Sequence, residues 1–500
     1  MLLLLNLLKG GRSLRYLGTL ILIVALTLTG CAQQLENIPQ GKETEEAVDQ
    51  NKIVEMKLAS MEDMDSLDPL KINSPLEFQL TRAIYDSLFL LDEKSGSYVP
   101  ELAAKYEENQ ENTGLIIFLK DNVKFHDGTD LTAPAVKLSL DRWKAAVLPS
   151  SWHPLKSVEI LDEKSLLITW NRSKQELLAA LASPRASIIS PNALAAGIAF
   201  KGGGYFSPVS INAGTGPYKL QEWVSHQWLS LVSNNDYFGE TPKVKRWEIR
   251  LGINPEDALV SFKAERFDFV QGMDSRLAQL GSDLGLKDNL EFYELKSGLY
   301  LKVNKEQFKE LESRQALSGI INRSEISLLL KGIHQPLEYF LPQDSYGSKV
   351  PVGNLVDPNG VSTLFEKELI DVTLVRPVDV NSHVTKTLED VLQEKGIKLK
   401  QPKEEMVSLR LVLWTEPYLH PYARLLLWAN NGLVSEESEP SPYAEQDWYQ
   451  YIASLEQQFA SDVQLIPLLK LRQVLFANED NRMVQDEQGL LEFAKVGISE

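Results

Sequence analysis

The chain of 500 residues contains a single cysteine, Cys31. One cysteine cannot form a disulfide within the chain, so the fold must be held together by buried apolar side chains. Hydrophobic residues make up 43% of the sequence, which is enough for large cores, and a single core stops growing at roughly 250–300 residues. The sequence therefore predicts more than one domain, and it argues against a disulfide scaffold, a disordered chain and a polytopic membrane protein.

The charge balance restricts the possible partners. Lys and Arg number 51 and Asp and Glu number 69, which gives a formal net charge of −18. Because binding to a phosphate backbone needs a basic surface, this balance argues against nucleic acid as a partner.

The first thirty residues form a separate segment. A basic cluster (Lys9, Arg12 and Arg15) precedes an apolar run at 17–28, and the segment ends in Leu28-Thr29-Gly30-Cys31. This is the layout of a secretory signal, and the run is short for a membrane span, which needs about 20 apolar residues. We therefore predict a signal peptide at 1–30 and an exported protein; the alternative is an uncleaved anchor followed by a buried cysteine.

The end of this segment resembles the lipobox of bacterial lipoproteins. The resemblance implies cleavage before Cys31 and attachment of a lipid to its thiol. Residues 32–52 are polar and lack apolar periodicity, so we interpret 31–52 as a lipidated, flexible tether.

Two local patterns in the remaining chain predict defined units. Residues 123–143 read as a strand, a tight turn at Asp127-Gly128, and a helix with Thr132 as its N-cap. Residues 370–400 read as a strand, a helix with an apolar stripe and a second strand, which together predict a βαβ unit and a parallel sheet. Elsewhere we expect a short strand at 300–303 and two strands at 463–469 and 472–477.

The sequence gives no indication of catalytic chemistry. The six histidines are scattered, and neither an HExxH nor a CxxC motif occurs, so no metal site and no cofactor are predicted. A GxSxG elbow is also missing, and Gly214-Thr215-Gly216 lacks the third glycine of a dinucleotide loop. We interpret Phe125-His126-Asp127-Gly128 as a turn rather than an active site. No catalytic residue is therefore assigned.

Four groups of short motifs follow one another along the chain. They are Ser66-Leu67-Asp68-Pro69; Pro100-x-Leu102-Ala103 with Val123-Lys124-Phe125-His126-Asp127-Gly128 and Leu131-Thr132-Ala133; Gly214-Thr215-Gly216-Pro217-Tyr218-Lys219 with Glu222-Trp223 and Asn235-x-Tyr237; and Arg314-Gln315-Ala316-Leu317 with Asn322-Arg323-x-Glu325-Ile326 and Gly332. In these motifs and their order, the chain resembles solute-binding protein family 5, the dipeptide- and oligopeptide-binding proteins of ATP-binding-cassette importers, over most of residues 53–420.

The resemblance implies an α/β fold of the periplasmic-binding-protein type II kind, with two lobes, an inserted α+β domain and a ligand cleft between the lobes. Lobe I would comprise 53–75, 191–269 and 471–500, the inserted domain 76–190, and lobe II 270–470. It implies a monomeric, lipid-anchored binding component that captures a peptide or peptide-like solute outside the cytoplasm. The partner would be the permease subunits of an ATP-binding-cassette importer.

The resemblance also indicates ligand-binding residues after one strand of lobe II. The family motif Trp-x-Ala-Asp-Tyr-x-Asp-Pro aligns with residues 414–421, which makes Trp414, Glu416, Tyr418 and His420 the candidate ligand contacts. The first Asp of that motif pairs with the α-amino group of a peptide in the family. Here its position is occupied by Pro417, and Glu416 lies one position away.

Two other functions remain open from the sequence. One is an exported, anchored hydrolase that uses Glu416 or His420, and turnover of a peptide or ester would support it. The other is a sensor or chaperone that keeps the binding-protein fold. An absence of neighbouring permease genes would favour that reading.

Overall fold

The computed structural model contains one large β-sheet and three smaller sheets among the residues it describes. The described residues are 54–64, 66–72, 74–92, 97–147, 155–171, 174–195, 213–340, 372–375, 382–395, 397, 399–400, 409–414, 454, 456–478, 481–485 and 491–498. The predicted signal peptide (1–30), Cys31 and the rest of the tether to residue 52 lie outside them. Glu416, Tyr418 and His420 also lie outside them.

The helices and strands are numbered in chain order. The strands are β1 (Glu55–Ser60), β2 (Phe89–Leu91), β3 (Tyr98–Pro100), β4 (Ala103–Glu108), β5 (Gly114–Leu119), β6 (Leu155–Ile160), β7 (Ser165–Trp170), β8 (Tyr218–Val224), β9 (Trp228–Ser233), β10 (Arg246–Arg250), β11 (Phe269–Gly272), β12 (Leu290–Val303), β13 (Gln335–Pro336), β14 (Val372–Val375), β15 (Leu399–Lys400), β16 (Leu409–Trp414), β17 (Leu465–Ala477), β18 (Asn481–Gln485) and β19 (Leu491–Ile498). The α-helices are α1 (Pro75–Ile84), α2 (Ala133–Val147), α3 (Lys174–Leu181), α4 (Pro191–Ala195), α5 (Pro255–Lys263), α6 (Ser275–Asp283), α7 (Leu311–Ile320), α8 (Arg323–Leu329) and α9 (Ser382–Glu394). None of the described helices has the length and hydrophobicity to cross a membrane.

The large sheet consists of two half-sheets joined by two long strands. Its strand order is β15-β14-β16-β12-β17-β11-β1-β10-β9-β8. We call β8, β9, β10, β1 and β11 the first half-sheet, and β14, β15 and β16 the second half-sheet. The antiparallel strands β12 and β17, here called the crossing strands, pair with each other along both half-sheets.

Separate hydrophobic clusters stabilise the two half-sheets. One face of the first half-sheet packs on α1 and includes Trp223 and Trp247, and the other face packs on α5 and α6 through Leu259 and Leu277. The second half-sheet packs on α7, α8 and α9. The cluster of the second half-sheet also includes Phe78 of α1, so apolar burial holds this chain without disulfides together both within the half-sheets and between them.

A four-stranded antiparallel sheet of order β4-β5-β7-β6, here called the small sheet, has a cluster of its own within residues 88–188. The predicted turn and helix cap next to it are confirmed. Gly128 has a positive φ of 88° and donates to the Phe125 carbonyl, and the Thr132 hydroxyl accepts a hydrogen bond from the Ala135 amide.

The predicted βαβ unit is confirmed, because β14 and β15 are parallel and flank α9, whose apolar stripe is buried. The crossing strands differ from the prediction. The strand expected at 300–303 begins at Leu290, and the two strands expected at 463–469 and 472–477 form the single strand β17. Lys470 and Arg472 interrupt the apolar pattern of β17, but both lie within 4 Å of a Glu294 carboxylate oxygen on β12, and this pairing accommodates them within one strand.

Candidate functional site

The strand directions define a gap between the half-sheets. The first half-sheet strands β1, β10 and β11 run parallel to one another, and β11 is antiparallel to β17. In the second half-sheet, β14, β15 and β16 are parallel, and β16 is antiparallel to β12. Since β12 and β17 are themselves antiparallel, the carboxyl ends of the two sets face each other along the crossing strands. Ligands of open α/β sheets bind outside such carboxyl ends.

The gap has the length of a small extended ligand. Strand β11 ends at Gly272, which pairs with Val474 on β17. Val474 in turn pairs with Phe292 on β12. The end of β16, Trp414, pairs with Gly298. Six residue steps of β12 therefore separate the two ends, which corresponds to roughly 20 Å of extended chain. The ladder between the crossing strands is interrupted inside this stretch, between Glu294 and Gly298.

Of the four predicted ligand-binding residues, the structure places the backbone of Trp414. It ends β16 at the edge of the gap. Glu416, Tyr418 and His420 follow it in the sequence and lie outside the described residues, so their roles stay predictions.

Ion pairs connect the crossing strands at the gap. A carboxylate oxygen of Glu294 lies 2.8 Å from the Lys470 ammonium, and the other lies 3.6 Å from the Arg472 guanidinium. The hydrogen bond from Lys470 is the main cause that lowers the pKa of Glu294 below its ordinary value. About half of the Glu294 side chain is exposed, so these pairs are screened by solvent.

On the first half-sheet, a buried chain of three amides ties α1 to β11 and β17. The Gln271 amide donates to the Gln79 carbonyl oxygen at 3.1 Å, and the Gln79 amide donates to the Gln473 carbonyl oxygen at 3.2 Å. All three side chains are buried. Uncharged amides make this connection without the desolvation penalty of ionised groups.

Carboxylates near this edge of the first half-sheet have internal partners. Glu62 accepts from the Leu76 amide at the N-terminus of α1. Asp274 follows β11 and lies 2.7 Å from the Arg276 guanidinium; although burial opposes the change, this contact lowers the pKa of Asp274. These carboxylates therefore order the polypeptide around the gap.

Residues from two of the motif groups that carry the family resemblance meet somewhere else, where the small sheet attaches to the first half-sheet. Here Gly214 and Gly216 lie against the end of α1, and the Gly216 amide donates to the Ile84 carbonyl at 3.0 Å. A Cβ atom at residue 214 would lie 1.9 Å from that carbonyl oxygen. Glycine is therefore required at this position by the close approach of two backbones.

His126 connects the Phe125-His126-Asp127-Gly128 turn to the same glycines. Its amide donates to the Gly214 carbonyl at 2.7 Å, and its ring Nε2 lies 2.9 Å from the Gly216 carbonyl oxygen. Burial lowers the pKa of His126 to about 4, so the ring is neutral at pH 7 and Nε2–H is the donor. His126 thus has an architectural role.

Two buried carboxyl groups complete this attachment. Asp86 accepts hydrogen bonds from the Thr215 hydroxyl at 2.6 Å and the Tyr237 hydroxyl at 3.1 Å, and it is hydrogen-bonded to Glu101. Glu101 also accepts from the Ser87 amide, and its carboxylate lies 3.6 Å from the Arg82 guanidinium. We call the contacts of Asp86, Glu101, His126, Gly214–Gly216 and Tyr237 the joint.

The carboxyl pair of the joint holds a proton at neutral pH. Burial raises the pKa of Glu101 to about 8, the Arg82 charge opposes this, and the neighbouring Asp86 raises it further. Burial also raises the pKa of Asp86, while the Thr215 hydroxyl lowers it. One carboxylic acid and one carboxylate are the arrangement that satisfies such a pair.

Sequence reasoning identifies the motifs but not the point at which two of the motif groups meet. Asp86 belongs to no motif, and neither do Glu294, Lys470 or Arg472 at the crossing strands. The alternating charged and apolar residues at 470–472 are the sequence signal for the ion pairs of the crossing strands. Among the described residues, no group of three or more His, Cys, Asp or Glu side chains could hold a metal ion.

Comparisons with known proteins agree on one family. The family model described as "Bacterial extracellular solute-binding proteins, family 5 Middle" matches residues 97–386. The probable D,D-dipeptide-binding periplasmic protein DdpA of Escherichia coli K12 is 32% identical over 195 residues, which cover 38% of this chain and 37% of DdpA. The nickel-binding periplasmic protein of the same organism is 26% identical over 284 residues, which cover 54% of this chain and 53% of that protein. The matches thus span about half or less of these curated relatives.

A solved structure shows the fold over a greater length. OppA of Listeria monocytogenes bound to peptide superimposes with a TM-score of 0.72 at 15% identity, covering 89% of this chain and 99% of OppA. The predicted α/β fold of the periplasmic-binding-protein type II kind is confirmed. Because the family model matches more than half of the residues, the chain belongs to the bacterial extracellular solute-binding proteins of family 5.

Proposed function

We propose that this protein is the substrate-binding component of an ATP-binding-cassette importer, and that it captures a peptide or peptide-like solute in the gap between the half-sheets. The main support for this proposal is the arrangement of the strands, because the carboxyl ends of both half-sheets face each other along the crossing strands. The hydrogen-bond ladder between the crossing strands is interrupted between Glu294 and Gly298. Such a connection suits hinge closure around a ligand, and a permease can then distinguish the open form from the closed form.

We propose the domain division predicted from the sequence, with two adjustments. The first half-sheet and its clusters form lobe I, the second half-sheet forms lobe II, and the small sheet forms the inserted domain. Since β11 pairs with β1, the boundary at residue 270 is better placed at 294–298, where the crossing strands leave the first half-sheet. Helix α1 packs in the cluster of Trp223 and Trp247, so it is better counted with lobe I.

Two of the similar proteins support a peptide-like solute as ligand, since DdpA is named for a D,D-dipeptide and OppA was solved with peptide, whereas another relative is named for nickel. We propose that Trp414, Glu416, Tyr418 and His420 contact the solute from lobe II. Pro417 cannot pair with an amino group, so we expect Glu416 to be the carboxylate available to a ligand cation. The protein binds without catalysis and without a cofactor in this proposal.

We further propose that the protein is exported, monomeric and held at the membrane through a lipid on Cys31. Metabolic labelling with an alkyne-tagged fatty acid tests this anchor. The label should be on the wild-type protein and absent from Cys31→Ser, and labelling of that variant would contradict the proposal.

Native mass spectrometry of the purified protein, followed by denaturing extraction, tests the function. We expect a co-purified peptide-like solute whose affinity falls at least tenfold in Trp414→Ala. Trp228→Ala is the matched control, because Trp228 lies on β9, away from the gap, and contacts Arg250. A protein that carries no solute, and that no peptide in a screening panel stabilises against heat, would contradict the proposal.

A further inference from the structure

A segment of the chain other than the crossing strands also connects the half-sheets. After α8 the backbone turns through Lys331 and Gly332, both with positive φ, and the Gly332 amide donates to the Ser327 carbonyl at 2.8 Å. We call residues 330–337 the connecting segment. Leu330 lies in the cluster of the second half-sheet, but Ile333 lies in the cluster of α5 and α6 on the first half-sheet. The segment therefore inserts an apolar side chain into the opposite half of the molecule.

His334 follows Ile333 and is fully buried. Its Nδ1 lies 3.2 Å from the Arg472 amide nitrogen on β17. An amide N–H can only donate, so Nδ1 must be the acceptor, and the proton of the neutral ring is on Nε2. Nε2 lies 3.2 Å from the carbonyl oxygen of Met273, the residue that follows β11. The ring thus donates to the first half-sheet and accepts from a crossing strand.

The His334 imidazole lies where the backbone pairing along one edge of β17 is interrupted. Strand β11 stops at Gly272, opposite Val474, and β13 begins at Gln335, opposite Lys470. Arg472 lies between these two pairs, and its amide is bonded by a side chain instead of a strand. The Ser327 hydroxyl fixes the backbone of His334 from α8 by donating to its carbonyl at 2.6 Å.

We propose that Ile333 and His334 form a latch that holds lobe II at a defined angle to lobe I, with His334 as the positioning residue. The proposal rests on the proposed function, because an angle between lobes matters only to a protein that closes on a solute. The Nε2–H contact to Met273 links the halves, and the Nδ1 contact keeps β17 in register. Loss of the first contact frees the hinge.

The latch keeps the same hydrogen bonds throughout the ordinary pH range. Burial lowers the pKa of His334 to about 4, the nearby Arg472 charge lowers it further, and the Met273 carbonyl and Asp274 oppose this. Protonation of Nδ1 below that pH would remove the acceptor for the Arg472 amide.

Distances between spin labels test the latch without any ligand. Cysteines replace the exposed Val260 on α5 and the exposed Lys386 on α9 in a Cys31→Ser background, and double electron–electron resonance gives the distance distribution. We expect His334→Asn, which retains an acceptor for Arg472 but loses the donor to Met273, to at least double the width of the distribution. His334→Gln retains a donor at the Nε2 position and should keep the distribution narrow. Ile333→Ala should broaden it.

Ile326→Ala is the matched control, because Ile326 is equally buried on α8 but belongs to the second half-sheet cluster alone. Equal widths for His334→Asn and His334→Gln, or broadening by Ile326→Ala, would overturn the latch. Since no solute is added, these outcomes do not depend on whether solute capture itself is confirmed.

Discussion

At the joint, closely packed glycines, His126 and two hydroxyl groups from the family motifs meet two buried carboxyl groups that belong to no motif. At the crossing strands, the partly exposed ion pairs also come from no motif. Glu101 is 7% exposed and Glu294 is 48% exposed. The difference teaches that two of the motif groups specify how the small sheet is attached, whereas the connection between the half-sheets depends on the length and register of the crossing strands. Four predictions test this contrast.

A methyl group should have its largest effect at the joint. Gly214→Ala places a Cβ against a backbone oxygen of α1, while Gly298→Ala on β12 meets side-chain atoms of Tyr300 and Leu337 at 2.8 and 3.2 Å. We expect losses of about 3 kcal/mol and about 1 kcal/mol in the free energy of unfolding, measured by urea titration. Equal losses would show that the joint is no more closely packed than the crossing strands.

Removing the buried acceptor of the joint should have the next largest effect. Asp86→Ala leaves the Thr215 and Tyr237 hydroxyls without their carboxylate, which should cost about 2 kcal/mol in thermal or urea unfolding. Asp63→Ala serves as the control, because its pair with His226 is exposed and should contribute less than about 0.5 kcal/mol. A loss from Asp86→Ala no greater than the control's would refute a buried network.

The joint should also make stability depend on pH. The ordinary pKa of a glutamate is 4.5 and that of Glu101 is about 8, so between these values the unfolded chain releases a proton that the folded chain retains. The contribution of Glu101 to the free energy of unfolding is fully present below pH 4.5 and is lost as the pH rises to 8. Over this range the free energy of unfolding falls by at most about 1.4 kcal/mol per pH unit. Urea titrations at several pH values between 4.5 and 8 give the free energy of unfolding of wild type and Glu101→Gln. This free energy should fall more steeply with pH in the wild type, and an equal pH dependence of the two proteins would contradict a raised pKa.

The smallest effect should be at the crossing strands. Glu294→Gln removes the charge that faces Lys470 and Arg472 but keeps the size of the side chain. We expect a loss below about 0.5 kcal/mol that disappears at high salt, because exposed pairs are weak and screened. A salt-independent loss as large as that of Asp86→Ala would remove the distinction between the two regions.

Local structure could be predicted from the sequence wherever neighbouring residues determine it. The turn at Asp127-Gly128, the cap at Thr132 and the βαβ unit around α9 depend on contacts a few residues apart. The joint could not be located in this way, because His126 contacts Gly216 across 90 positions and Asp86 contacts Thr215 across 129. The periodicity of apolar residues carries no information on contacts between residues so far apart in the sequence.

The prediction of two strands in place of β17 is wrong for a related reason. In β17, Lys470 is accommodated because the partner strand β12 supplies the Glu294 carboxylate, which lies 176 positions away in the sequence. The candidate site was predicted from the family alignment at 414–421, and the structure adds the position of β16 at the edge of the gap.

The position of β17 and β19 at the end of the described chain determines the order in which the molecule can fold. Leu475, Phe493 and Val496 share a cluster with Met56 and Leu58 of β1, whereas the small sheet closes its cluster within residues 88–188. We expect the small sheet to form early and the first half-sheet to form last, because contacts of long sequence separation form slowly. Pulsed hydrogen exchange during refolding should show early protection of β5 and β7 and late protection of β1, and a chain stopped before residue 465 should keep β1 exposed to proteases.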